Sequence, residues 1–84
     1  MAYSIDIEKK AKKEFLKLSF EAQQTLASCI DNLKIEPRPI GVKKMMGLEG
    51  YRIRQGKYRI LYTVDDSKKI IRIYKIGHRK EVYR

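Results

Sequence analysis

The sequence predicts an α+β fold, with an N-terminal strand and an αα-hairpin packed on a small antiparallel β-sheet. Three observations carry that expectation: an alternating apolar segment opens the chain, two stretches of helical spacing end before a pair of prolines, and the second half consists of alternating runs around polar turns. The 84 residues suffice for one domain over 1–84 and are too few for two separate cores.

Tyr3, Ile5 and Ile7 alternate with Ser4 and Asp6, the period of a half-buried strand. From Glu8 the spacing turns helical, with Ala11, Phe15 and Leu18 on one stripe among five lysines. Ser19 interrupts it, and a second helix follows with Ala22, Leu26, Cys29, Ile30 and Leu33 on one face. Pro37 is expected to end that helix, because proline lacks the amide donor and disfavours the helical region for its predecessor. Residues 40–50, with three glycines, read as an irregular connector. Beyond it, runs at Tyr51–Arg54, Lys57–Val64 and Lys69–Ile76 form an antiparallel meander, a C-terminal half built of hairpins.

If Gln55-Gly56 forms the first turn, Arg54 pairs with Lys57, Ile53 with Tyr58, Arg52 with Arg59 and Tyr51 with Ile60. Alternation then puts Tyr51, Ile53, Tyr58, Ile60 and Tyr62 against the helices and gathers Arg52, Arg54, Lys57 and Arg59 on the other face. Like charges opposed across strands destabilise a sheet, so folding alone gives no reason for the cluster, whereas an anionic ligand does. Arginine suits that task because its planar fork meets phosphate oxygens in pairs. A solvated face is the plainer alternative.

Charge agrees with this reading. Residues 1–36 hold six lysines and six carboxylates, whereas residues 37–84 hold fourteen Lys or Arg and four carboxylates, so the whole net charge of +10 sits in the second half. A field of that sign attracts nucleic acid, anionic lipid or an acidic protein. One cysteine, Cys29, excludes an internal disulfide, and no apolar run is long enough to cross a membrane. The first thirteen residues lack a signal peptide's apolar stretch, so the cytoplasm is the expected compartment and no membrane the expected partner. One histidine and scattered carboxylates offer no metal-ligand spacing, and no cofactor is expected. In the C-terminal segment His78 is titratable near neutral pH, Arg79, Lys80 and Arg84 add charge for RNA, and Tyr83 either stacks on a base or closes the edge of the core.

The run Gly50-Tyr51-Arg52-Ile53-Arg54-Gln55-Gly56-Lys57-Tyr58-Arg59-Ile60-Leu61-Tyr62, followed by Ile76-Gly77-His78-Arg79-Lys80-Glu81-Val82-Tyr83-Arg84, resembles the RelE/ParE superfamily of toxin–antitoxin systems, and its RelE branch more than its gyrase-directed ParE branch. The resemblance spans nearly the whole chain. It implies a metal-independent endoribonuclease that cleaves mRNA in the ribosomal A site and is neutralised by a cognate antitoxin in a hetero-oligomer. The implied partners are therefore the antitoxin, mRNA and the ribosome with its rRNA. The implied chemistry is attack by a 2′-hydroxyl on the neighbouring phosphate. By position, Arg52 and Arg54 match basic residues that hold that phosphate, Arg59 an arginine that stabilises transition-state charge, Arg79 one that helps the leaving oxygen, and Tyr83 an aromatic that orients the substrate. Lys57, His78, Lys80 and Arg84 complete an expected RNA-binding set. RelE-type members carry lysines where this chain has Arg52 and Arg54, and arginine releases its proton far less readily, so electrostatic stabilisation is expected in place of general-base catalysis. Two other readings stand beside this one: a ParE-like toxin that inhibits DNA gyrase, and a basic RNA-binding module without activity.

Overall fold

The computed structural model describes residues 2–45 and 50–78. In chain order these form β1 (Ser4–Ile7), α1 (Lys9–Leu16), α2 (Phe20–Leu33), β2 (Lys43–Lys44), β3 (Tyr51–Gln55), β4 (Tyr58–Asp65) and β5 (Ile70–His78). The five strands make one sheet in the order β1-β5-β4-β3-β2. The meander from β3 to β5 is antiparallel as expected and β2 extends it antiparallel, whereas β1 joins the far edge parallel to β5, which makes the sheet mixed. Parallel pairing needs a long crossover, and the helical hairpin and the meander supply it.

The hairpin of helices is tight because its turn satisfies its own polar groups. Ser19 Oγ accepts from the Ala22 amide at 3.2 Å and caps α2. Gln23 Nε2 donates to the Leu18 and Leu16 carbonyls at 3.0 and 3.3 Å, supplying partners that the end of α1 would otherwise lack. At its other end α2 stops at Leu33, four residues before Pro37, with Lys34 as cap. That cap is tied into the sheet, since the Lys34 carbonyl accepts from the Tyr3 amide at 2.8 Å. The proline therefore follows the stop and does not cause it.

Ala11, Leu26, Ile30 and Leu33 from the helices meet Ile53, Ile60, Tyr62, Ile71, Ile73 and Ile76 from one face of the sheet. The spacing 71, 73, 76 breaks strict alternation. A bulge places Tyr74 as the extra residue, since Tyr62 pairs with Ile73 while Leu61 pairs with Lys75, and the inserted residue returns Ile76 to the core face. Tyr62 carries the one hydroxyl in this core and donates it to the Pro37 carbonyl at 2.7 Å. Burial of that ring, and secondarily its neighbours Cys29 and Tyr51, pushes the phenol well above its ordinary range, against the opposing pull of Arg38.

The first hairpin turns one residue later than expected, which shifts the cross-strand pairing by two. Gly56 and Lys57 form the turn, so Arg54 pairs with Arg59, Ile53 with Ile60, Arg52 with Leu61 and Tyr51 with Tyr62. Gly56 at φ +60° supplies the left-handed start that a two-residue hairpin favours, whereas the expected placement put it second. A slip of two residues preserves which face each side chain takes. Lys57 alone leaves the ladder, into the turn. The segment read as an irregular connector contains β2, whose Lys43 pairs with Arg52 and Lys44 with Tyr51.

Candidate nucleic-acid interface

The helices cover one face of the sheet. On the other, β3 presents Arg52 and Arg54, β4 presents Arg59 beside Arg54, and β2 adds Lys43 opposite Arg52. Two cross-strand cationic pairs thus lie two residues apart along β3, about 7 Å, with partners at about 5 Å across the strands. A notch of about 260 Å³ opens there, and its described lining is Gly41, Lys43, Arg52 and Arg54. A larger cleft, about 590 Å³, runs between α2 and residues 39–42 and also reaches Arg54.

The members differ in access. Arg54 is exposed and Arg52 half-buried, but Arg59 is only 3% exposed. The Arg59 guanidinium turns back toward the hairpin, where its Nη1 donates to the Tyr58 carbonyl at 3.0 Å and the Gly56 carbonyl at 3.4 Å. The expected open row of four cations is therefore two arginines at the surface, one sealed beneath it, and Lys57 set apart in the turn.

His78 falls on the opposite side. It pairs with Tyr58 at the end of β5, with the two rings edge to face at 6.1 Å, and lines a cleft with Glu14, Lys17 and Leu18 on the helical side. The parity that sends Arg59 outward sends Tyr58 and His78 inward. Arg79, Lys80, Tyr83 and Arg84 lie outside the described residues.

Three cations elsewhere are paired with carboxylates. Arg38 Nη2 meets Asp66 at 2.8 Å, Arg72 Nε meets Asp6 at 3.1 Å and Lys34 Nζ meets Asp31 at 3.3 Å. None of these ion pairs uses Lys43 or Arg54. The Arg38 guanidinium and then the Tyr3 hydroxyl hold the Asp66 carboxyl down to about 2. Burial pushes the Cys29 thiol up, away from the thiolate form a nucleophile needs. Among the described residues no three His, Cys, Asp or Glu side chains gather as metal ligands. Nor is any described helix long and apolar enough to cross a membrane.

A helical hairpin on a mixed sheet is also the fold that comparison with known proteins returns. The family model for the ParE toxin of the type II toxin–antitoxin system parDE matches residues 5–83. The chain belongs to the RelE/ParE toxin family. Within that family it is 33% identical to the mRNA interferase toxin RelE of Escherichia coli, over 99% of this chain and 92% of that protein. Its fold superposes on RelE in the archaeal RelE–RelB complex from Pyrococcus horikoshii with a TM-score of 0.83 and 31% identity, covering 96% of this chain and 99% of the other. A free E. coli RelE mutant gives 0.82 at 30% identity, covering 99% and 92%. The RelE/ParE fold therefore extends over the whole arrangement described above.

Sequence reasoning reached Arg52, Arg54 and Arg59 but not Lys43. The signal was the Lys43-Lys44 doublet, which carries no weight until β2 is known to lie beside β3.

Proposed function

We propose that this chain is the toxin of a type II toxin–antitoxin pair and acts as a metal-independent endoribonuclease on mRNA in the ribosomal A site. The pairing of Arg54 with Arg59 beside Arg52, on the face that the helices leave bare, carries the reading. The RelE relatives named as mRNA interferases support it. Arg52 and Arg54 hold the scissile phosphate and lower the cost of ionising the 2′-hydroxyl that attacks it. The P–O5′ bond breaks, leaving a 2′,3′-cyclic phosphate and a 5′-hydroxyl. Arg59 acts from a setting sealed from solvent, where its charge is screened less than that of a surface arginine, and stabilises the dianionic transition state. Arg79 assists the leaving oxygen and Tyr83 orients the substrate. The partner is an antitoxin with an acidic segment that covers the basic face, in keeping with the RelE–RelB complexes among the structural neighbours.

The ParE name of the matching family model favours a second reading, inhibition of DNA gyrase without RNA cleavage. Pulse labelling of induced cells separates the two. Translation is expected to fall before replication, and Arg59→Ala and Arg79→Ala to relieve the arrest. Replication failing first, or full toxicity in both variants, would remove the nuclease reading.

A further inference from the structure

We infer that the notch of Gly41, Lys43, Arg52 and Arg54 is a second phosphate subsite, which holds the backbone phosphate next to the one cleaved, with Lys43 as its dedicated cation. This rests on the reading of the bare face as an RNA surface and adds a residue that neither composition nor the strand pattern assigns. Lys43 stands opposite Arg52 at the sheet's edge, where two like charges destabilise the pairing unless something anionic lies between them. Both residues of β2 are exposed, and no ion pair among the described residues uses Lys43, although carboxylates elsewhere are matched to Arg38, Arg72 and Lys34.

The notch itself is open. Gly41, at φ +92°, has nothing within 4 Å of where a Cβ would sit, so the backbone bends away and leaves the floor clear. The spacing then orders the substrate. Arg54 and Arg59 form the level of the cleaved phosphate, Arg52 stands between the two phosphates and is shared by both, and Lys43 opposite it takes the next, about 7 Å along β3, a step suited to consecutive phosphates of an extended single strand. Lysine fits the outer position, since a compact charge on a flexible stem follows a phosphate without fixing its orientation. The strand is thereby expected to run from the hairpin level toward the β2 edge.

The test uses the full chain and a short single-stranded RNA whose cut-site 2′-hydroxyl is replaced by 2′-deoxy, so that binding is read without cleavage. Affinity is measured against salt for wild type, Lys43→Ala, Lys43→Arg and a charge control, Lys10→Ala, on exposed α1. Lys43→Ala is expected to weaken binding about fivefold, the upper range for an exposed pair. It should also lower the salt slope by about 0.7, the value for one phosphate of a single strand. Lys43→Arg should restore both, and a neutral methylphosphonate at the adjacent linkage should weaken wild type but not Lys43→Ala. Equal behaviour of Lys43→Ala and Lys10→Ala, methylphosphonate losses of the same size in wild type and Lys43→Ala, or no binding by wild type at low salt would overturn the subsite. So would a polyglutamate peptide that depends on Lys43 where the RNA does not. Wild type that binds in this manner yet cuts no RNA on ribosomes keeps the subsite and removes the nuclease reading. Cleavage with a silent Lys43→Ala does the reverse.

Discussion

Arginine at positions 52 and 54 decides what kind of catalyst the bare face can be. A guanidinium does not give up its proton near neutral pH, so neither residue can serve as a base there, and the proposed mechanism has both act through charge. His78, the one histidine of the chain, sits with Tyr58 on the helical side. His78→Ala is therefore expected to leave the cleavage rate unchanged, and a large loss would mean that substrate reaches the helical side. Asp66 offers a pH test of the scaffold. Its carboxyl is depressed to about 2 by Arg38 first and Tyr3 second, so the stability it contributes is complete above its unfolded value near 4 and is lost as pH falls toward 2. Thermal unfolding of Asp66→Asn should lack that acid limb while wild type keeps it. The pair is exposed, so the size of the step should be small. Gly50 lies at φ +108°, and a Cβ there would collide with the Tyr62 carbonyl, so Gly50→Ala should cost at least about 2 kcal/mol in denaturant unfolding.

At the scale of elements, what the sequence reveals is face, and what it conceals is register and edge. Alternation assigned Arg52, Arg54 and Arg59 to the bare face correctly, because a slip of two residues leaves parity intact. The turn itself was misplaced because Gln55-Gly56 and Gly56-Lys57 are both plausible two-residue loops by composition. Only the positive φ of Gly56 at the first position separates them. The parallel docking of β1 on β5 depends on contacts more than sixty residues apart and has no local signature. Nor has β2, two residues long and defined wholly by its neighbour. The bulge at Tyr74 was hidden in the same way, although the spacing of Ile71, Ile73 and Ile76 reports it once the core face is known. The helical hairpin was legible because its signals are local. Ser19 caps α2 by a bond to the Ala22 amide, and Ser19→Ala should destabilise the protein by about 1 kcal/mol in the same unfolding measurement.

Across the whole molecule, charge is sorted by use. The cations Arg38, Arg72 and Lys34 are matched to carboxylates, and those at the β2–β3 corner line an open notch, where the proposed reading puts a ligand. Arg59 is buried while Arg54 is exposed, so charge on the bare face is layered, with its least screened member beneath the surface, where the proposed mechanism has it act on a transition state and not on encounter. The measurement that bears most directly on this account is primer extension on mRNA, with and without translating ribosomes, after addition of wild type or Arg59→Ala. The account predicts cuts by wild type within codons, only with ribosomes, and a loss of about 100-fold or more in the variant. Cuts by Arg59→Ala at the wild-type rate, or no cuts by wild type under either condition, would contradict it.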